Sequence, residues 1–272
     1  MKKRVIGLCL VMVLSFSSCA VEQEVAVKPT ALSTATPTIV PTIAPTEVPT
    51  EIPAATPTLE TTLEPTPTPK QQPPLLQQML TKEGLSFETL PCKQLVLVVA
   101  EGTTCTLYTY EREEDGFWKK VLSAQGYVGK KGLTNDHKEG NGTTPAGFYK
   151  LGFAFGHDAN PTGNYPYRQI TEGSYWVDDP ASQYYNQWVT QDQEKDWNSA
   201  EDLWKIKTEY ALAVLIEYNY GANTVPGKGS AIFLHVGDKA TAGCVAISKA
   251  KMEALLQWLE QGEEPHIIIT TK

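Results

Sequence analysis

The sequence predicts a mainly β domain: a β-sandwich with a packed C-terminal amphipathic helix followed by a closing strand. Three observations carry this. From about Cys92 onward, short runs rich in Val, Ile, Thr, Tyr and Phe are separated by turn signals. Past that point only "SKAKMEALLQWLEQG" keeps a 3.6-residue apolar period. The run behind it, "HIIITT", is dominated by β-branched residues. Strands followed by one late helix fit a layered β fold with the helix packed on it.

The elements follow in order. "PLLQQMLTKEGLSF" (74–87) predicts a short helix with Leu75, Leu76, Met79 and Leu80 on one face and Gly84 as its stop. "KQLVLVVAEGTTCTLYTYERE" is two β-rich runs around Glu101-Gly102, a hairpin. "WKKVLSAQGYVG" gives another strand. In "NGTTPAGFYKLGFAFG" the Asn141-Gly142 turn precedes a strand, and Pro145 cannot donate within a ladder. "YALAVLIEYNY" (210–220) is apolar enough for a central strand, and "SAIFLHVG" (230–237) is a further one. The late helix takes Ser248 as N-cap and Gly262 as its stop, with Met252, Leu255, Leu256 and Leu259 inward.

Before the domain lies a different kind of chain. "MKKR" is cationic, Val5 to Phe16 is an apolar run of 12 residues, and "SSCA" supplies small residues for cleavage. This is the layout of a secretory signal over residues 1–18, too short for an ordinary membrane span. Cys19 after two serines resembles a bacterial lipoprotein box, which makes it the expected lipidated residue. Residues 29–74 hold twelve of the nineteen prolines. Each proline lacks a backbone donor and forces an extended predecessor, so the stretch 19–74 predicts a disordered, polyproline-like spacer rather than a core. Residues 75–91 then form a helical lead-in, and 92–272 the folded domain.

The net charge is −8, and about −11 once Lys2, Lys3 and Arg4 leave with the signal. That excludes a basic nucleic-acid face and electrostatic docking on anionic lipid. With Cys9 and Cys19 set aside, Cys92, Cys105 and Cys244 remain, an odd number that leaves at least one free thiol. A Cys92–Cys105 bridge stays open as an alternative.

The chemistry concentrates in "FLHVGDKATAGCVAIS" (233–248). His235 ends an apolar strand. Cys244 follows a short loop with a glycine near each end. An imidazole beside a thiol raises its thiolate fraction by taking the proton. If the second piece pairs beside the first, the loop returns Cys244 to His235, and the backbone N–H of Gly243 faces a developing oxyanion. No second Cys or His lies at zinc-ligand spacing, and His137, His157 and His266 are scattered along the sequence. The plain structural alternative is a buried Cys acting as a small hydrophobe, beside a strand-end His.

These residues resemble the L,D-transpeptidase (YkuD-type) family of bacterial cell-wall enzymes. The matching positions are His235, Gly237, Thr241, Gly243 and Cys244. "EGNGTTPAGFYKL" is similar to the family's Thr-Pro-x-Gly segment at Thr144, Pro145 and Gly147. The resemblance spans roughly residues 93–271. It implies a mainly β fold with Cys244 in an open cleft. It implies Cys244 as nucleophile on a peptidoglycan stem tetrapeptide, His235 as general base and acid, Gly243 as oxyanion donor and Thr241 as loop support. It implies a thioester intermediate resolved by an amine to a 3→3 cross-link, with no cofactor and no metal. The expected partners are stem peptides and, through the lipid, the cell membrane, for a monomer outside the cytoplasm that reaches into the wall. Water in place of the amine makes the enzyme an L,D-carboxypeptidase, and a non-catalytic wall-binding module is the alternative from another class.

The chain departs from the family pattern in three ways. The His-to-Cys loop is shorter than in many members. Ala242 stands where many have His, which puts the base role on His235. Ala246 stands where many have Arg. The imidazole's orienting group is either a backbone carbonyl or Asp238. The aromatic stretch 160–208 is either a wall over the cleft or a small core of its own. Asp178 and Asp179 either bind a cationic side chain or orient the His, or else shape the turn before Pro180.

Overall fold

The computed structural model describes residues 70–272. The expected signal, Cys19 and the spacer up to Pro69 lie outside the described residues. From Lys70 the chain forms helix α1 (Pro74–Lys82) and strands β1 (Gln94–Glu101), β2 (Thr104–Arg112) and β3 (Trp118–Tyr127). The short β4 (Leu133–Thr134) and β5 (Thr144–Pro145) pair with each other ahead of β6 (Gly147–Gly156). Next come β7 (Tyr167–Gln169), β8 (Ser174–Val177), β9 (Trp188–Thr190), β10 (Ala200–Asp202) and β11 (Ala213–Ile216). Then follow β12 (Phe233–Val236), β13 (Val245–Ile247), helix α2 (Lys249–Trp258) and β14 (His266–Thr271).

The main sheet has nine strands in the order β11-β12-β13-β3-β2-β1-β14-β6-β7. β11 also pairs with β6, so the sheet folds over and closes on itself. Its inward faces form one core. Val96, Val98, Leu107, Leu151, Val214, Leu234, Val245, Ile247, Ile267 and Ile269 meet there. Met252, Leu255, Leu256 and Leu259 join the same core from α2 and the residue after it. The last strand, β14, lies between β1 and β6, parallel to β1 with Val98 opposite Ile269.

The two outer faces are covered differently. Over β1, β2 and β14, helix α1 presses Leu76, Met79 and Leu80 onto Leu95, Leu97, Tyr110, Trp118 and Ile268. Leu75 packs at the edge of this cluster, and Gly84, at φ 69°, turns the chain out of the helix. Over β6, β11 and β12 lies the aromatic segment, with β8, β9 and β10 as a small separate sheet. Trp176, Leu203 and Tyr210 pack on Phe155, Leu215 and Phe233. Val177, Val189 and Trp197 form a satellite core inside the segment.

Several expectations are corrected. The run 210–220 is a strand only over Ala213–Ile216, because Glu209–Ala211 winds into a 3₁₀ turn that swings Tyr210 onto the outer face. Helix α2 stops at Trp258 rather than at Gly262, because Leu259 turns extended to stay in the core. Ser248 occupies its N-cap position with no side-chain cap bond. Cys92, Cys105 and Cys244 are all free thiols, and Cys105 faces Ala100 across the hairpin.

Candidate active site

β12 and β13 pair in parallel, with His235 opposite Ala246. Residues 237–244 join them, fewer than a parallel crossover usually takes. Strand alternation sorts the side chains. Leu234 and Val236 point to the core, while Phe233 and His235 point to the outer face, where Cys244 also lies. The 237–244 loop is tied to the neighbouring chain. Thr241 N–H donates to the Val128 carbonyl (3.0 Å), and Lys130 N–H donates to the Thr241 carbonyl (2.9 Å). The Cys244 carbonyl accepts two hydroxyls, Thr241 Oγ1 at 2.6 Å and Thr144 Oγ1 at 3.1 Å. The Thr-Pro segment therefore clamps the backbone of the cysteine. Gly243 supplies space rather than an unusual dihedral: a Cβ there would lie 3.2 Å from Ile232 Cδ1 and 3.3 Å from the Thr143 carbonyl.

Cys244 is buried, at 9% exposure. Its Sγ donates to the Ala231 carbonyl (3.2 Å) and accepts from Phe233 N–H (3.4 Å). Burial pushes the thiol up to about 12, and the charge of Glu201 pushes the same way. No hydrogen bond joins Sγ to His235. The His235 Nδ1–H donates to the Val236 carbonyl (2.8 Å), which leaves Nε2 as the free acceptor. Burial holds the imidazole below its ordinary 6.5. Asp238 is exposed and makes no bond to the ring, so a backbone carbonyl is the orienting group. Gly243 N–H donates to Thr241 Oγ1 (3.2 Å), whereas Cys244 N–H has no partner among the described residues.

Two hollows meet at the cysteine. One, about 430 Å³, is lined by His235, Val236, Asp238, Thr208 and Tyr210. The other, about 200 Å³, is lined by His137, Glu139, Asp178, Ser230 and Gly243. Glu201, Ala242 and Cys244 border both. The aromatic segment builds a small core of its own, and its β10 places Glu201 at the border of both hollows. Burial raises the Glu201 carboxyl to about 7, although the Tyr210 hydroxyl donates to it. The ring of Tyr210 meets that of His235 edge-on, 5.9 Å between centroids.

The two aspartates divide. Asp179 shapes the turn, accepting from Ala181 N–H (2.9 Å), Asn198 N–H (2.8 Å) and Asn198 Nδ2 (3.1 Å). Asp178 faces the smaller hollow, with Oδ1 sealed from solvent and unpartnered.

Four residues at this site were not found from sequence: Asn186, Glu201, Tyr210 and His137. Asn186 is a hub. Its Oδ1 accepts from Trp176 Nε1 (2.8 Å) and Ala231 N–H (3.0 Å), and its Nδ2 donates to the Asn219 carbonyl (2.6 Å). Asn186, Asn219 and Ala231 all hold positive φ, at 58°, 49° and 53°. Strained backbone of this kind persists where surrounding bonds over-determine it. Here it fixes the carbonyl that holds Sγ. In the sequence His137 is one of several scattered histidines, yet the fold brings it beside Gly243. The turn-rich "NDHKEGNG" directly before the Thr-Pro segment was the available signal.

Residues 95–268 match the family model of the L,D-transpeptidase catalytic domain, YkuD, and the chain belongs to that family. Its members are acyltransferases acting on peptidoglycan stem peptides outside the cytoplasm. No curated protein and no solved structure matches the chain.

Proposed function

We propose that the protein is a peptidoglycan L,D-transpeptidase in which Cys244 is the nucleophile and His235 its base, exported with a signal at 1–18 and anchored through Cys19. The observation that carries the site is the pairing of β12 with β13. It sets both side chains on one face of a cleft, with His235 Nδ1–H bonded to a carbonyl and Nε2 unoccupied.

The chemistry follows from that geometry. The resting Cys244 is a neutral thiol parked on the Ala231 carbonyl. A rotation about χ1 moves Sγ toward His235, whose Nε2 takes the thiol proton. The thiolate attacks the carbonyl of the third stem residue and a C–S bond forms. The negative charge on the carbonyl oxygen is met by Cys244 N–H, and by Gly243 N–H once it leaves Thr241. The imidazolium gives its proton to the departing amine as the C–N bond breaks, which leaves a thioester. A second stem's side-chain amine then replaces sulfur, giving a 3→3 cross-link; water in that step gives a tripeptide instead. Thr241 supports the loop by gripping the Cys244 carbonyl.

The test is intact-protein mass spectrometry with a tetrapeptide stem. The expected result is an adduct lacking the terminal residue, absent in Cys244→Ala and slowed about 10²–10⁴-fold in His235→Gln. An adduct on Cys92 or Cys105, or normal turnover without Cys244, would overturn the assignment.

A further inference from the structure

The smaller hollow has a one-sided chemistry. Its uncommitted side-chain polar atoms are acceptors on His137, Glu139 and Asp178, and no lysine or arginine lines it. Glu139 is held by the hydroxyls of Tyr185 and Ser230 on Oε2, while Oε1 has no partner among the described residues. Asp178 accepts no hydrogen bond, and its Oδ1 is sealed. Glu201 borders the same space.

His137 is the independent observation. It is only 5% exposed, and burial holds it below its ordinary 6.5, so it is neutral. Its tautomer follows from its partners. Thr143 Oγ1 donates its proton to Asn141 Oδ1 (2.8 Å), so it accepts from His137 Nδ1–H (3.1 Å). Nε2 therefore carries a lone pair and has no partner. The ring is gripped from two sides. A Cβ on Gly229, at φ 101°, would lie 2.3 Å from His137 Cδ2 and 2.5 Å from Nε2, and one on Gly243 would lie 3.5 Å from Cε1, so the Nε2 edge passes over Gly229 and Cε1 faces Gly243. The imidazole is thus fixed beside the residue preceding the nucleophile. Among the described residues no His, Cys, Asp and Glu set is close enough to hold a metal ion. A ligand for this lobe must bring several donors on one atom, as a primary ammonium does.

We propose that this lobe is the acceptor-amine site and that His137 Nε2 is the general base for the second half-reaction, an inference resting on the Cys244 thioester assigned above. The larger hollow on the His235 side then holds the acyl donor, and Cys244 serves both from the boundary. The step balances. The acceptor arrives as R–NH₃⁺, drawn in by Glu139 and Asp178. It gives one proton to His137 Nε2, and the free amine attacks the thioester carbonyl. A C–N bond forms and the C–S bond breaks. The second proton passes to the departing Cys244 sulfur, the amide keeps the third, and His137 releases its own to solvent. His137, from a distant loop, thereby occupies the neighbourhood that Ala242 leaves without a histidine.

The experiment uses the full chain, a tetrapeptide donor whose own side-chain amine is acetylated, and Nα-acetyl-lysine amide as acceptor. The readouts are the acylation rate and the partition of the acyl-enzyme between aminolysis and hydrolysis. For His137→Gln the expected result is a fall of at least about tenfold in the aminolysis-to-hydrolysis ratio, well beyond any change in acylation. Asp178→Asn keeps the shape and breaks no existing bond. It should raise the acceptor KM about fivefold or more while the donor KM stays put. An unchanged ratio in His137→Gln would overturn the proposal, as would losses that track acylation or a donor KM shift in Asp178→Asn. If wild-type protein forms no Cys244 adduct at all, the nucleophile assignment falls and this one with it; a normal adduct with normal partition in the variants removes the acceptor site alone.

Discussion

The outer face of β1, β2 and β14 and the outer face of β6, β11 and β12 belong to one closed sheet, yet they are finished in opposite ways. The first is sealed by the apolar stripe of α1. The second is covered by an aromatic segment that leaves two polar hollows against the sheet. Among the described residues each face has one buried side-chain polar atom without a partner: Trp118 Nε1 under the helix and Asp178 Oδ1 beside the cleft. The same defect differs in meaning. Trp118 is locked among hydrocarbon, where an unmade bond costs about 1–3 kcal/mol of stability. Asp178 borders a space that a ligand can enter. One face does the holding, and the other leaves side-chain acceptors beside a hollow.

That contrast can be broken by experiment. The largest effect belongs to the cleft face: Cys244→Ala should lower turnover at least about 10⁴-fold in a protein that remains folded. Residual turnover near wild type would mean the cleft is not where reaction occurs. On the sealed face, Leu76→Ala should destabilise by about 2–5 kcal/mol, with kcat/KM intact wherever the protein remains folded. A kinetic defect there, measured well below the melting transition, would show that the faces are coupled.

Asn186→Ala tests the border between the two kinds of effect. It strands Trp176 Nε1 and Ala231 N–H and removes a residue suited to positive φ. A loss of about 2–4 kcal/mol is expected in denaturant titration, with slowed acylation because the positive-φ backbone at Ala231, against which Cys244 packs, loses its anchor. Stability loss with unaltered acylation would reduce Asn186 to scaffold.

The smallest effects are electrostatic. Glu201 ionises near pH 7, and as a like charge it opposes the Cys244 thiolate. Glu201→Gln should therefore speed alkylation of Cys244 at pH 8 roughly three- to tenfold, while the two proteins converge at more acidic pH, where Glu201 is already neutral. His235 is held below 6.5, so its base form survives into mildly acidic solution. The acid limb of kcat/KM should fall below pH 6.5, and a limb clearly above that value would assign it to another group.

Much of the sealed face was legible in the sequence, because it is built from local periodicity. Leu76, Met79 and Leu80 repeat at helical spacing, and the continuous apolar run of β1 and the alternating run of β2 flank a Gly turn. The His235–Cys244 motif was equally legible, since a loop of eight residues, 237–244, between two apolar runs carries its own geometry. What failed was long-range. His137 stands 106 positions before Gly243, and Glu201 stands 43 before Cys244. Nothing in a linear pattern says that sheet closure will bring them to one hollow. The run around Tyr210 misled for a related reason. Its apolarity fits a strand, but contacts with Glu201, His235 and Phe233 pull its first residues into a turn.

The position of β14 also governs how the molecule comes into being. Residues 266–271 fill the gap between β1 and β6, and the parallel pairing joins positions 171 residues apart, from Leu95 to His266. Closing so long a loop before any reward from pairing is slow. Until that strand arrives, β1 and β6 present unsatisfied edges and the inner core lacks Ile267 and Ile269. The closed sheet and its inner core are therefore complete only once residues 266–271 have paired on both sides.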